Sequence, residues 1–387
     1  MKQHVKANVK VLFALTLVHF TGDFYSSFTS PLFPLFVEKM GLSLTQVGAI
    51  AGINRLLAFI VQPPVGYLAD RYQSRHFIFT GMLLPVIFIP LSGICTGFWT
   101  LLFATMLGSI GSAMFHPSVT GMIPVYSGSN SGFSMSIFNT GGTLAFGIGP
   151  LFITWYAGRF GLELVPVTMI LGLSTAVYLY YAVPVPQPEG MNNLGFFKTI
   201  KENLGSAWKF IILIWAVMFL RAVVGQSFLT FMPVFYVEKG FSIVSAGIIF
   251  SLFTIAGTVS GLTAGLISDK IGIKPVFIFT HIIMTPILLL FLKLEGNWTY
   301  LGSILAGAAV LASLPLGVVM AQKLAPKGRS MVASLMMGFA YGLGGFAAPL
   351  VGKFADMYSI QAVLTGISFV PLITLPIIYF FPNVKGS

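Results

Sequence analysis

The sequence predicts an all-α membrane protein in which about twelve transmembrane helices form two related six-helix bundles. Three observations carry this reading: scarcity of charge, a regular series of long apolar runs, and an internal repeat. Of 387 residues only 21 are Lys or Arg and 10 are Asp or Glu, whereas 56% are apolar and the mean hydropathy is +0.91. A water-soluble domain does not cover its surface with so few charges, so the solvent of this chain is lipid. At about 20 residues per span plus short loops, the length is used up by about twelve crossings and leaves no room for a sizeable soluble domain.

Apolar runs bounded by Gly, Pro and charge clusters predict spans near 10–37, 44–69, 76–96, 98–124, 131–157, 163–184, 208–237, 243–268, 275–293, 298–322, 328–355 and 360–381. The first follows Lys2, Lys6 and Lys10 in the manner of a signal peptide. Its apolar run is too long for one and no small-residue cleavage site follows, so it is read as a retained helix. With the N-terminus in the cytoplasm, that side collects Lys2, Lys6, Lys10, Arg71, Arg75, Lys198, Lys201, Lys209, Lys270, Lys274, Lys323, Lys327, Arg329 and Lys385. The other side has Lys39, Arg159, Lys239, Lys293 and Lys353, balanced by Glu38, Glu163, Glu238, Glu295 and Asp356. The positive-inside rule therefore places both termini in the cytoplasm of a multi-pass protein of the cell inner membrane. The net charge of +11 marks topology, and no nucleic-acid partner is expected.

Sliding the chain on itself by 199 residues superposes Pro34 on Pro233, Phe36 on Phe235, Gly41 on Gly240, Ser43 on Ser242, Gly48 on Gly247, Gly66 on Gly265 and Asp70 on Asp269. The same shift pairs Arg71 with Lys270, Arg75 with Lys274 and Pro150 with Pro349, without a gap. Such a parallel duplication implies two bundles, 1–184 and 208–387, related by a pseudo-twofold along the membrane normal and joined by a cytoplasmic linker at 185–207. Substrate is expected between them.

The segment GYLADRYQSR at 66–75, repeated as GLISDKIGIK at 265–274, resembles the loop signature of the major facilitator superfamily between its second and third helices. The resemblance implies that Gly66, Asp70, Arg71 and Arg75, with Gly265, Asp269, Lys270 and Lys274, gate the cytoplasmic ends of the bundles; plain positive-inside anchoring is the alternative. More narrowly, His19-x-x-x-Asp23, Gln62-Pro63-x-x-Gly66, the run GSAMFHP at 111–117 and Ser136-Ile-Phe138-Asn-x-Gly-Gly142 resemble the fosmidomycin resistance branch. That similarity implies proton-driven export of small drugs, an anionic phosphonate among them, by alternating access. Small residues in Gly344-x-x-x-Ala348-Pro349-x-x-Gly352 would let helices approach closely.

An ionisable group in hydrocarbon costs several kcal/mol unless paired or hydrated, so each is a functional candidate. Counting about 1.5 Å per residue from Lys10 puts Asp23 near the bilayer centre, with His19 one turn away on the same face. A sheltered carboxyl beside an imidazole is minimal equipment for proton coupling; a helix-locking salt bridge from Asp23 to an arginine is the alternative. Arg55 and Arg221 also fall near mid-membrane. Against one acid they leave surplus positive charge, which an anionic substrate such as a carboxylate or phosphonate would neutralise. Otherwise one arginine pairs with Asp23 and the other caps carbonyls. His116, before the helix-kinking Pro117, either binds substrate or fills the site the proline opens. Tyr25, Asn139 and Gln226 are neutral candidates for substrate hydrogen bonds, and His281 is read as structural.

The lone Cys95 has no His or Cys at ligand spacing, so no metal and no cofactor are expected. Neither an HExxH pair nor a nucleophile elbow occurs, which argues against an enzyme. The expected partners are a small, anionic substrate, protons and the lipid bilayer, and the protein is expected to act as a monomer. Export by exchange for protons is the leading reading; import of an organic anion by proton symport uses the same groups.

Overall fold

The computed structural model describes residues 7–72, 75–128, 131–184, 207–325, 336 and 340–382, and among the described residues all regular structure is helical. The first seven α-helices are α1 (Val9–Ser26), α2 (Thr29–Met40), α3 (Leu44–Tyr72), α4 (Arg75–Leu91), α5 (Phe98–Tyr126), α6 (Ser131–Phe160) and α7 (Met169–Ala182). Then come α8 (Trp208–Glu238), α9 (Ile243–Ile271), α10 (Ile273–Lys293), α11 (Trp298–Leu311) and α12 (Leu314–Leu324). The described chain closes with α13 (Ala340–Phe346), α14 (Ala348–Met357), α15 (Ile360–Ile367) and α16 (Val370–Tyr379).

Ten stretches among the described residues are long and apolar enough to cross a membrane. The other two predicted spans differ for separate reasons. The span at 10–37 is divided at Ser27–Phe28 into α1 and α2, and the span at 328–355 lies partly outside the described residues, as does most of the predicted linker. Proline opens the helix that follows several breaks, at Pro315, Pro349 and Pro371. Its missing N–H is unneeded in a first turn, so the chain restarts there without losing a hydrogen bond.

Contacts divide the chain into two compact units. One comprises Met1–Leu42, Leu57–Met191 and Ser242–Gly247, the other Ser43–Leu56, Asn192–Phe241 and Ile248–Ser387. In the first unit α1 packs against α4, α5, α6 and α7. In the second, α8 packs against α11 to α14 and α16, and α10 against α11 and α16.

The repeated residues occupy equivalent jobs. Gly41 and Gly240 both adopt positive φ (63° and 91°), the conformation that ends one helix and turns the chain into the next. The following Ser43 and Ser242 hydroxyls accept from the main chain of Gln46 and Ser245, capping α3 and α9. Gly48 lies so close to Ala348 that a Cβ would overlap its carbonyl, and a Cβ on Gly247 would overlap the Thr154 hydroxyl. The start of α3 is held further by Asp356, whose carboxylate accepts from Leu44 N (2.7 Å), Thr45 N (2.8 Å) and Thr45 Oγ1 (2.5 Å).

Candidate functional site

Three of the sequence runs singled out above meet in the first unit. His19 and Asp23, one turn apart on α1, face His116 of α5. His19 Nε2 lies 3.1 Å from Asp23 Oδ2, and His116 Nε2 lies 3.2 Å from Oδ1. The second contact is an ion-pair distance without hydrogen-bond alignment, so Oδ1 is buried with no hydrogen bond among the described residues. The far nitrogen of each ring is fixed by the main chain: His19 Nδ1 lies 3.0 Å from Phe138 O, and His116 Nδ1 lies 2.7 Å from Ser112 O.

The walls follow from the same runs. The Phe138 ring stacks on His19 (centroids 4.2 Å apart, 26° between planes) and Phe115 stacks on His116 (4.2 Å, 25°). Each such pair contributes about 0.5–1.5 kcal/mol beyond burial and removes ring rotation. Gly142 of α6 carries no side chain where a Cβ would come within 2.5 Å of His19 Nε2 and 2.8 Å of Asp23 Oδ2. The side chains of His19 and Asp23 are 9% and 5% exposed, whereas that of His116 is 29% exposed and is the accessible member.

A carboxylate buried alone would be strongly destabilising. Here the charge of Asp23 is met by the imidazoles of His19 and His116, where the salt-bridge alternative had an arginine. His116, expected as a substrate ligand or as the filler of the carbonyl that Pro117 leaves free, instead bonds Ser112 O and turns its other nitrogen to Asp23. These three residues also bring ligand-type atoms within 4.8 Å of one another.

The other expected residues are dispersed. Tyr25 is buried, donates to Thr168 O (2.5 Å) and accepts from Gly172 N (2.9 Å), so its hydroxyl braces α1 against the start of α7 and is not offered to a substrate. Asn139 is exposed on α6. Arg55 is exposed, with its stem against Gly345, and both it and Arg221 fall in the second unit. Arg221 is 2% exposed on α8, its Nε donating to Val310 O (3.1 Å). Gln226 is buried on the same helix. His281, on α10, bonds Phe277 O through Nδ1 (2.8 Å), while its Nε2 is buried without a hydrogen bond among the described residues.

Of the loop signature, the side chains of Gly66, Asp70 and Arg71 lie outside the described residues, and Asp269 and Lys270 are exposed, next to Gly265, at the end of α9. The flanking basic residues serve their own units. Arg75 donates to the carbonyls of Tyr180 and Val183 at the end of α7 and stacks on the Tyr180 ring (4.6 Å to its centroid). Lys274 donates to Tyr379 O (2.6 Å) and Phe381 O (3.2 Å) at the end of α16. Cations at helix C-termini satisfy orphan carbonyls and oppose the helix dipole.

The family model described as Major Facilitator Superfamily matches residues 15–349 and again 240–386. The chain is 27% identical to the fosmidomycin resistance protein of Escherichia coli strain K12 over 381 residues, covering 96% of this chain and 93% of that protein. It is 25% identical to the probable nitrate transporter NarT of Staphylococcus epidermidis, covering 91% and 90%. Among solved structures, a bacterial homologue of the human lysosomal transporter Spinster, inward-facing and occupied, matches with a TM-score of 0.82 at 15% identity over 97% of both chains, which speaks to fold. The helical architecture, the repeated loop signature and the family match together identify the chain as a member of the Major Facilitator Superfamily, a multi-pass membrane transporter of small molecules and not an enzyme.

Proposed function

We propose that the protein is a proton-coupled secondary transporter of the cell inner membrane that exports a small anionic or amphipathic compound, such as a fosmidomycin-like drug, in exchange for protons. The observation that carries this reading is the buried Asp23 carboxylate held between the imidazoles of His19 and His116. Imidazole is the side chain whose ordinary charge change falls closest to physiological pH, which suits a pair of them around a buried carboxylate to proton exchange. Arg221, buried and always charged, supplies the group that meets the anion. Export fits the energetics of a negative-inside membrane, where each negative charge leaving gains about 2.3 kcal/mol per 100 mV. The names of the relatives, a resistance protein and a nitrate transporter, agree with a small anion as cargo.

In this reading the bundles 1–184 and 208–387 move about the 185–207 linker by alternating access, in a monomer with both termini cytoplasmic. The repeated signature, with Gly66, Asp70 and Arg71 matched by Gly265, Asp269 and Lys270, gates the cytoplasmic ends, and Arg75 and Lys274 anchor it.

Import of an organic anion by proton symport is the second reading. It is favoured by the meeting of two imidazoles on one carboxylate: were both protonated, the group would be cationic and attract an anion instead of competing with it. Inside-out vesicles with an acidified lumen separate the two. Adding fosmidomycin is expected to make the lumen more alkaline; further acidification would establish symport, and no change would remove proton coupling for that compound. Arg221→Gln is expected to lower transport of the anion at least about tenfold, the worth of a lost charge-assisted contact. Unaltered transport would remove Arg221 from the cargo site.

A further inference from the structure

Main-chain carbonyls only accept hydrogen bonds, so the nitrogen facing one must carry a hydrogen. His19 Nδ1 faces Phe138 O and His116 Nδ1 faces Ser112 O, which fixes both rings with hydrogen on Nδ1. In each ring the exchangeable position is then Nε2. Both Nε2 atoms approach Asp23, one at each carboxylate oxygen, at 3.1 and 3.2 Å. A bare ring nitrogen at that distance would set its lone pair against that of a carboxylate oxygen, which repels. A proton on each Nε2 makes both rings cationic and turns both contacts into ion-pair attractions, with no hydrogen bond to Oδ1 required. The arrangement therefore accommodates two exchangeable protons, one per oxygen.

The charge balance follows. Two imidazolium rings and one carboxylate sum to +1; after one proton leaves the group is neutral, and after both leave it is −1. Among the described residues, α4, α5, α6 and α7 carry no Asp or Glu that could absorb that change. On the elements packed against α1, the basic residues Arg75 and His76 of α4 and Arg159 of α6 stand at helix ends, α7 carries no Asp, Glu, His, Lys or Arg, and the Tyr25 hydroxyl is committed to Thr168. On α1 itself Lys10 stands at the opposite end from Asp23. Among the described residues of α1 and the helices packed against it, the two protons share the one Asp23 carboxylate as counter-charge, which couples their release. The exposure of the His116 side chain, 29% against 9% for His19, gives the pair an outlet on the His116 side.

We propose that His116 is a second proton carrier and that the His19–Asp23–His116 group loads and unloads two protons in each transport cycle. The inference rests on the proton-coupled reading above and adds the count. The count has a consequence for energetics: one proton carried with a monovalent anion moves no net charge, whereas two make uptake electrogenic. In exchange, the second proton adds a further charge to a step that is already driven by the membrane potential.

The test uses the purified full-length protein in proteoliposomes, with fosmidomycin as the probe and the membrane potential clamped to zero. At static head a one-unit pH gradient sustains about a tenfold concentration ratio of the probe per coupled proton, because each unit is worth about 1.36 kcal/mol. Two protons are expected to give a ratio of about 100-fold in the wild type, falling to about tenfold in His116→Gln. A tenfold ratio in the wild type would overturn the two-proton count while leaving proton coupling intact. A ratio of one at every gradient would remove both. The decisive exponent is read on the unaltered protein, so it stands even where the variant fails to fold.

Discussion

The two halves of this molecule share a scaffold and differ in chemistry. Under the 199-residue shift the turn glycines Gly41 and Gly240, the helix-start serines Ser43 and Ser242, and the capping cations Arg75 and Lys274 coincide and have matching structural roles. The ionisable centre does not coincide. His19, Asp23 and His116 fall on Met218, Ala222 and Pro315, and the second half instead buries Arg221 one position from the Asp23 equivalent. Duplication has preserved what ends, starts and packs helices, while the buried ionisable groups differ between the copies. A residue that survives the shift is therefore better read as architecture, and one that does not as chemistry.

Three substitutions would break or sharpen this contrast. The largest effect is expected from Asp23→Asn, which removes the charge both imidazoles share. Gradient-driven accumulation should be abolished while binding of the cargo persists, as read by equilibrium binding beside vesicle uptake; full accumulation would place the proton site elsewhere. Next comes Gly142→Ala. Its methyl group would stand 2.5 Å from His19 Nε2 and 2.8 Å from Asp23 Oδ2, so α6 or the ring must move. Coupled transport should fall by at least about tenfold, since overpacking of this kind costs about 1–3 kcal/mol. Transport at the wild-type rate would mean that the ring shifts freely. The smallest effect belongs to the caps. Arg75→Met and Lys274→Met should each lower stability in detergent by about 1 kcal/mol, and by similar amounts, because each removes a cation from a helix C-terminus. A transport loss far beyond that change would show that one or both also take part in gating.

Much of this was readable from residue order. Hydropathy alone marks the spans because lipid demands long apolar helices, and the repeat marks Gly41 and Gly240 because few residues other than glycine take a positive φ cheaply. His19 and Asp23 were visible as a pair since four residues is one helical turn. The union with His116 was not, because nothing in a helical period says which face of α5 meets α1; its nearest sign was a histidine within a run that already resembled a family motif. Counting residues gives depth and not direction: it puts Arg55 near mid-membrane, and only the fold shows it exposed with its stem against Gly345. Tyr25 shows a related gap: sequence marks it as a neutral hydrogen-bonding group, and only the fold shows its hydroxyl bonded to Thr168 and Gly172.

The hold of Asp356 on the first turn of α3 has its own bearing on acidity. Burial favours the neutral acid, but the hydrogen bonds from Thr45 and Leu44 outweigh it and keep the carboxyl below its ordinary range. A depressed value means that the stabilisation is present above the unfolded carboxyl's pKa and is lost only as pH falls through the still lower folded one. Histidines change charge near 6.5, well above either limit. Medium acid enough to reach the ordinary histidine range thus leaves this strut ionised, and the start of α3 keeps its hold through that range.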